Sequence, residues 1–179
     1  MKIVNIIVKE IIPIIIGILI ALFINNWNEE NKDKEYLAKI FTSMESELAE
    51  SSADISRVIP KQLASLDTLE TYMNNENFTL YEIIMRSNGI HMPSIKTNSW
   101  NAISNSKIEL IDYEKLSALS DIAERKENLY RRMEKQMEYI FQNFEKADRN
   151  KKIIVKMMMI DIIGAEKELQ ADIEELIKK

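Results

Sequence analysis

Cysteine is absent from this chain, and histidine occurs once, at His91. Without cysteine there are no disulfides and no thiolate metal ligands, which suits an oxidising compartment without requiring one. One histidine excludes the usual multi-histidine metal centres and leaves little for Ser–His or Cys–His catalysis. Glycine and proline number three each among 179 residues, too few to turn a chain through many short strands. Basic charge is not in excess either: the net charge is −5. A nucleic-acid partner, which demands a basic face, is therefore not expected. No nucleophile–base motif, glycine-rich phosphate loop or ligand cluster is present, so no enzymatic activity, cofactor or metal is expected.

What is abundant points to helices. Apolar residues make up 46% and charged residues 30% of the chain, enough to bury a core and unlike a disordered segment. Leu, Ile, Met, Glu and Lys are abundant, and with so few turn-formers this favours long helices over many short strands. The length allows one ordinary domain besides an anchor.

The anchor is the run Ile11–Ile24, IIPIIIGILIALFI, fourteen residues without a polar side chain. At the helical rise it spans roughly 21 Å, short of the roughly 30 Å hydrocarbon core. Extension back through Ile3, Val4, Ile6, Ile7 and Val8 supplies the length, giving a span over about residues 4–26. Trp27 then sits where an interfacial aromatic anchor belongs, ahead of the polar run NEENKDKE. Three other readings fit less well. A cleaved signal peptide needs a small-x-small site, which ALFINNW lacks; a buried core helix would not carry so extreme an isoleucine run; an in-plane amphipathic helix needs a broad charged face. The amino terminus, Lys2 and Lys9 precede the span, whereas Glu29, Glu30, Asp33 and Glu35 outweigh Lys32 and Lys34 after it. The positive-inside rule then places the N-terminus in the cytoplasm and the rest outside it.

One face of this helix stands out. At about 100° per residue, Glu10, Gly17 and Ala21 fall together, flanked by Pro13 and Asn25. Gly17 and Ala21 form a small-xxx-small pair that permits close approach of another helix. Glu10 allows two readings: it snorkels to the cytoplasmic interface beside Lys9, or it makes a buried contact to a partner helix.

From Glu35 onward, Leu37, Phe41, Met44, Leu48, Ile55, Ile59, Leu63, Leu66 and Met73 recur at three-four spacing, with a polar gap around Ser51 and Ser52. No breaker separates this helix from the span, and Pro60 should kink it or split it into two. Thr79 can cap a short helix LYEIIMR closed by Ser87, Asn88 and Gly89. A second short helix follows at TNSWNAISNS, capped by Thr97 or Asn98 with Trp100 inward. Asp112 caps a long helix carrying Leu116, Leu119, Ile122, Leu129, Met133, Met137, Ile140, Phe141 and Phe144. Asp148, Arg149 and Asn150 mark the turn into a last helix that is amphipathic after Gly164. The expected fold is all-α: one transmembrane helix (residues 1–27), then an elongated antiparallel helical bundle (residues 28–179) outside the cytoplasm.

The stretch EIIPIIIGILIALFINNWNEENKDKEYLAKI, with IGILIAL at Ile16–Leu22 and INNWNE at Ile24–Glu29, resembles an uncharacterised family of Bacteroidota single-pass membrane proteins, a domain of unknown function. A second echo is TNSWNAISNSKIELIDYEKLSALSDI at Thr97–Ile122. The family's acidic residue at the start of the span would map to Glu10. This chain departs from the pattern in its basic tail, reduced to Lys2 and Lys9, and in Phe23, where glutamine is common. The resemblance implies an inner-membrane protein with a periplasmic helical domain, and implies no activity.

The expected role is a non-enzymatic accessory or scaffold subunit of an inner-membrane complex. Its partners would be the lipid bilayer and a membrane protein or a second copy of the chain. At most ten residues would lie on the cytoplasmic side, too few for an output module. The alternative is a periplasmic ligand-sensing bundle acting through a membrane partner, with His91, Met92, Trp100 and Asn101 lining a pocket. The triplet Met157–Met158–Met159 reads as core or partner contact rather than soft-metal capture.

Overall fold

The computed structural model describes residues 11–178. They form five α-helices: α1 (Ile12–Thr71), α2 (Leu80–Arg86), α3 (Asn98–Ser104), α4 (Tyr113–Gln142) and α5 (Arg149–Lys178). A short 3-10 segment, Ile108–Leu110, precedes α4, and no strand occurs among the described residues. The chain divides between Thr42 and Ser43 into two units, a boundary that falls inside α1.

In the first unit every residue from 11 to 30 is exposed, although the run is almost wholly apolar; Ile14 is 62% and Phe23 72% exposed. The first half-buried side chains belong to Asp33, Tyr36 and Leu37.

The second unit holds the core. From α1 it takes Met44, Leu48, Ile55, Val58, Ile59 and Leu69; from α4 Leu119, Ile122, Leu129, Met133 and Ile140; from α5 Val155, Ile162, Ile163, Leu169 and Ile173. Cross-links between helices pair rising numbers with falling ones. Ser52 bonds Glu174, Gln62 bonds Glu166 and Glu70 meets Lys156. Likewise Arg125 pairs with Glu168 and Asp172, and Arg132 with Asp161.

The expected split at Pro60 does not occur; α1 passes through it unbroken. Pro60 is exposed, so the carbonyl of Ser56, deprived of its usual N–H donor, is in reach of water instead. The apolar stripe also differs from the expected one. Leu63 and Phe141 face solvent, at 41% and 61% exposure, while Gln62 and Gln136 are buried. The polar gap at Ser51 turns inward: its hydroxyl donates to the Glu47 carbonyl and accepts from the Lys96 N–H.

That contact belongs to an extended strap, residues 90–97, that follows α2. The cap expected at Thr79 is formed, as a capping box with Glu82, and α2 ends at Asn88 and Gly89, whose φ values of 59° and 93° suit an asparagine and a glycine. Beyond them the strap has no ladder of its own, and side chains receive its N–H groups. Ser94 donates to Asp54 Oδ2 at 2.8 Å and Ile95 to the Tyr130 hydroxyl at 3.0 Å, and in the first turn of α3, where the strap ends, Ser99 donates to Glu47 Oε2 at 3.1 Å. The Ser94 N–H, with Arg57, holds the Asp54 carboxyl below its usual pKa. Asp112 caps α4 as expected, accepting from the Glu114 N–H.

Lys152 is wholly buried, and its Nζ donates to the carbonyls of Tyr72 (3.0 Å) and Asn75 (2.8 Å) just beyond the end of α1. A cation there also meets the negative end of the helix dipole. Burial pushes its pKa below the usual lysine value, against the pull of Glu76, Asp148 and Glu82. Lys152→Met keeps the stem and leaves two carbonyls without their donor. The urea midpoint should fall by the equivalent of about 2 kcal/mol with the slope unchanged; an unchanged midpoint would show that Lys152 does not hold the end of α1.

Candidate functional site

Helical periodicity brings two polar residues into the core. Gln62 follows Ile55, Val58 and Ile59 on the buried stripe of α1, and Glu166 sits between Ile162, Ile163 and Leu169 on that of α5. Gln62 is 6% exposed and Glu166 is fully buried. The Gln62 amide donates both its hydrogens, one to Glu166 Oε1 at 2.7 Å and one to the His91 carbonyl at 3.0 Å. It thereby ties α1, α5 and the strap together. Gln62 Oε1 and Glu166 Oε2 have no hydrogen-bond partner. Burial pushes the Glu166 carboxyl up to about 7, with the Gln62 bond pulling the other way.

Gln62 faces a cavity of about 50 Å³, lined also by Ser65, Ser87, His91, Gln136 and the apolar side chains of Leu69, Leu80, Ile83, Ile140, Val155 and Ile163. Of the four residues expected to line a pocket, His91 does so. Met92, Trp100 and Asn101 do not; Trp100 is buried elsewhere in the core, and the other two are exposed. Gln62 and Glu166 escaped the sequence reading, although a polar residue on each apolar stripe was their visible signal.

Of the expected membrane-packing face, Glu10 lies outside the described residues. Pro13, Gly17, Ala21 and Asn25 are all exposed, as is Trp27. A side-chain carbon added at Gly17 would meet nothing within 4 Å among the described residues. The methionine triplet grades inward: Met157 is 65% exposed, Met158 is half-buried and Met159 packs on the core. Among the described residues no group of three or more His, Asp or Glu side chains is placed to hold a metal ion.

The raised Glu166 pKa makes stability depend on pH. The carboxyl titrates near 4.5 in the unfolded chain and about 7 in the folded one, so between those values the native state holds the extra proton. The contribution is complete below pH 4.5 and is lost as pH rises through 7. Unfolding measured from pH 5 to 8 should show stability falling by roughly 2 kcal/mol in the parent. Glu166→Gln, which is never charged, should flatten that fall and unfold later than the parent at pH 8. Parallel profiles would show that Glu166 titrates normally.

No curated protein and no solved structure matches the chain. A family model does, over a stretch that begins at Glu10 and takes in α1, the turn after it and the first residues of α2, including Gln62 but not Glu166. Residues 10–83 match the model of a family of unknown function, DUF6090.

Proposed function

We propose that this protein is a membrane-anchored, non-enzymatic accessory or scaffold subunit of an inner-membrane complex. Its N-terminus lies in the cytoplasm, and its elongated antiparallel helical bundle lies in the periplasm. The observation that carries this reading is the exposure of the apolar N-terminal stretch of α1. An eighteen-residue stretch has a mean hydropathy of 1.5, and none of it is buried. A core helix of a soluble protein passes the same test of length and composition, but its apolar side chains are covered. Here they are not, and burial of each large apolar side chain is worth about 1.5–3 kcal/mol. A bilayer, with a partner helix on the Gly17 face, supplies that cover. The resemblance to Bacteroidota single-pass proteins through IGILIAL and INNWNE points the same way. The carboxylate at Glu10 would mark the partner-facing side of the span or its cytoplasmic edge.

A second reading, a ligand-sensing bundle acting through a membrane partner, is favoured by the Gln62 cavity.

Two measurements test the leading reading. A reporter fused after Lys179 should be active only outside the cytoplasm, and cytoplasmic activity would overturn the topology. Gly17→Ile should lower recovery of a partner, or of a homo-oligomer, from mild detergent extracts while leaving the fold intact. Since a side chain there would meet none of the described residues, a loss would point to another molecule. Undiminished recovery would mean that the face meets only lipid.

A further inference from the structure

Exposed aromatic rings gather where α2 meets the end of α4. Tyr81 and Met85, one turn apart on α2, are 45% and 58% exposed, and Phe141 on α4 is 61% exposed. The Tyr81 ring lies 4.9 Å from that of half-buried Phe144, which in turn lies 5.9 Å from that of Phe141. Backbone contact holds the two segments together, since the Tyr81 N–H donates to the Phe144 carbonyl at 2.9 Å. Aromatic rings and flexible thioethers are side chains that protein-binding surfaces favour.

The rim of this surface is acidic. Glu82 follows Tyr81 and Glu145 follows Phe144, while Glu138 and Glu134 stand three and seven residues before Phe141, on its face of α4. All four are exposed, and among the described residues none forms an ion pair with a lysine or arginine. Carboxylates elsewhere on the bundle do: Glu70, Asp161, Glu168 and Asp172 each have a basic partner. The arginines of the same segments are engaged, Arg86 over the Tyr72 and Phe78 rings, Arg131 with Asn128 and Arg132 with Asp161. Lys135 and Lys146 are the remaining basic residues there. An open groove of about 640 Å³ joins the two features, with Tyr81 and Phe144 on its walls beside Glu82 and Glu145. An apolar strip bordered by carboxylates attracts an apolar stripe bordered by cations. The side chains rise at one-turn spacing, which suits a helix laid between α2 and α4. An anionic lipid surface, by contrast, would be repelled by the same four carboxylates.

We propose that the surface between α2 and the end of α4 docks a basic amphipathic helix of a partner protein. The partner's apolar stripe would lie on Tyr81, Met85 and Phe141, and its Lys or Arg side chains would meet Glu82, Glu134, Glu138 and Glu145. The surface deepens the accessory-subunit reading and rests on it, naming where the bundle takes its partner; it is independent of whether α1 enters a bilayer.

Photo-labelling of the full chain in non-ionic detergent micelles tests it with two synthetic amphipathic helices. Both carry the same leucine stripe and one benzophenone side chain; the remaining positions are lysine in one and glutamate in the other. Each enters micelles through the shared stripe, so a difference between them reports the protein surface. The lysine helix should label residues 81–85 and 137–145, and the glutamate helix should not. Phe141→Ser, at an exposed position, should cut the labelling at least roughly fivefold, as should Glu134→Lys combined with Glu138→Lys. Raised salt should weaken it too. Equal labelling by both helices, or labelling indifferent to the reversed charges, would overturn the basic-partner assignment. Labelling only of other residues, or none, would overturn the surface. Preferential labelling of this face by a photoreactive phosphatidylglycerol would give it to a bilayer instead, and a dimer lost in Phe141→Ser would give it to a second copy. None of these outcomes decides the topology, which the fusion after Lys179 reads by itself.

Discussion

A segment that crosses a helical core without forming helix or strand must find acceptors for its own N–H groups, and much of this structure follows from α1 and α4 supplying them. Glu47, Ser51 and Asp54 on α1 and Tyr130 on α4 receive the N–H groups of Ser99, Lys96, Ser94 and Ile95. An unmet backbone donor in such a place would cost about 1–3 kcal/mol, so these side chains are committed to the strap. The strap in turn presents the His91 carbonyl to Gln62, fixing its amide. The polar positions along the α1 stripe are therefore docking points, spaced by the helix repeat, for a chain that has no ladder of its own.

The two units obey different physics. In the second, apolar side chains from three long helices cover one another, and the few buried polar groups are mostly paired. In the first, a helix carries Ile, Leu and Phe on all sides, exposed among the described residues. The physical content of the membrane proposal is that this segment has a solvent other than water.

Helix existence and most caps were legible in the sequence because they depend on local chemistry. Thr79 with Glu82, Asn88 with Gly89 and Asp112 each announce a boundary within four residues, and each boundary is found. The stripe assignments were less secure where tertiary contacts decide. Leu63 next to Gln62 illustrates this: hydrophobicity alone chooses the leucine for the core, but Glu166 and His91, 104 and 29 residues away in sequence, bring the glutamine inside. Lys152 is similar, since only the folded chain reveals the two carbonyls waiting for it. Pro60 misled in the other direction, because a proline breaks a helix only where its missing bond is not replaced. The cavity could not be read at all, being defined by residues drawn from four helices and a strap.

The graded methionine triplet on α5 has a consequence for oxidative chemistry. With no cysteine, all the chain's sulfur is thioether, and its first oxidation product, the sulfoxide, is one that reductases can reverse. Successive helix positions differ by about 100°, so one turn carries an exposed sulfur at Met157 and another, at Met159, packed on the core and lining the cavity. Oxidant reaches Met157 first, where a polar sulfoxide is already in solvent and costs little. The same change at Met159 would put a dipole among Leu69, Leu80 and Ile140. The outer methionine is thus placed to be consumed before the inner one, and repaired while the fold stays whole.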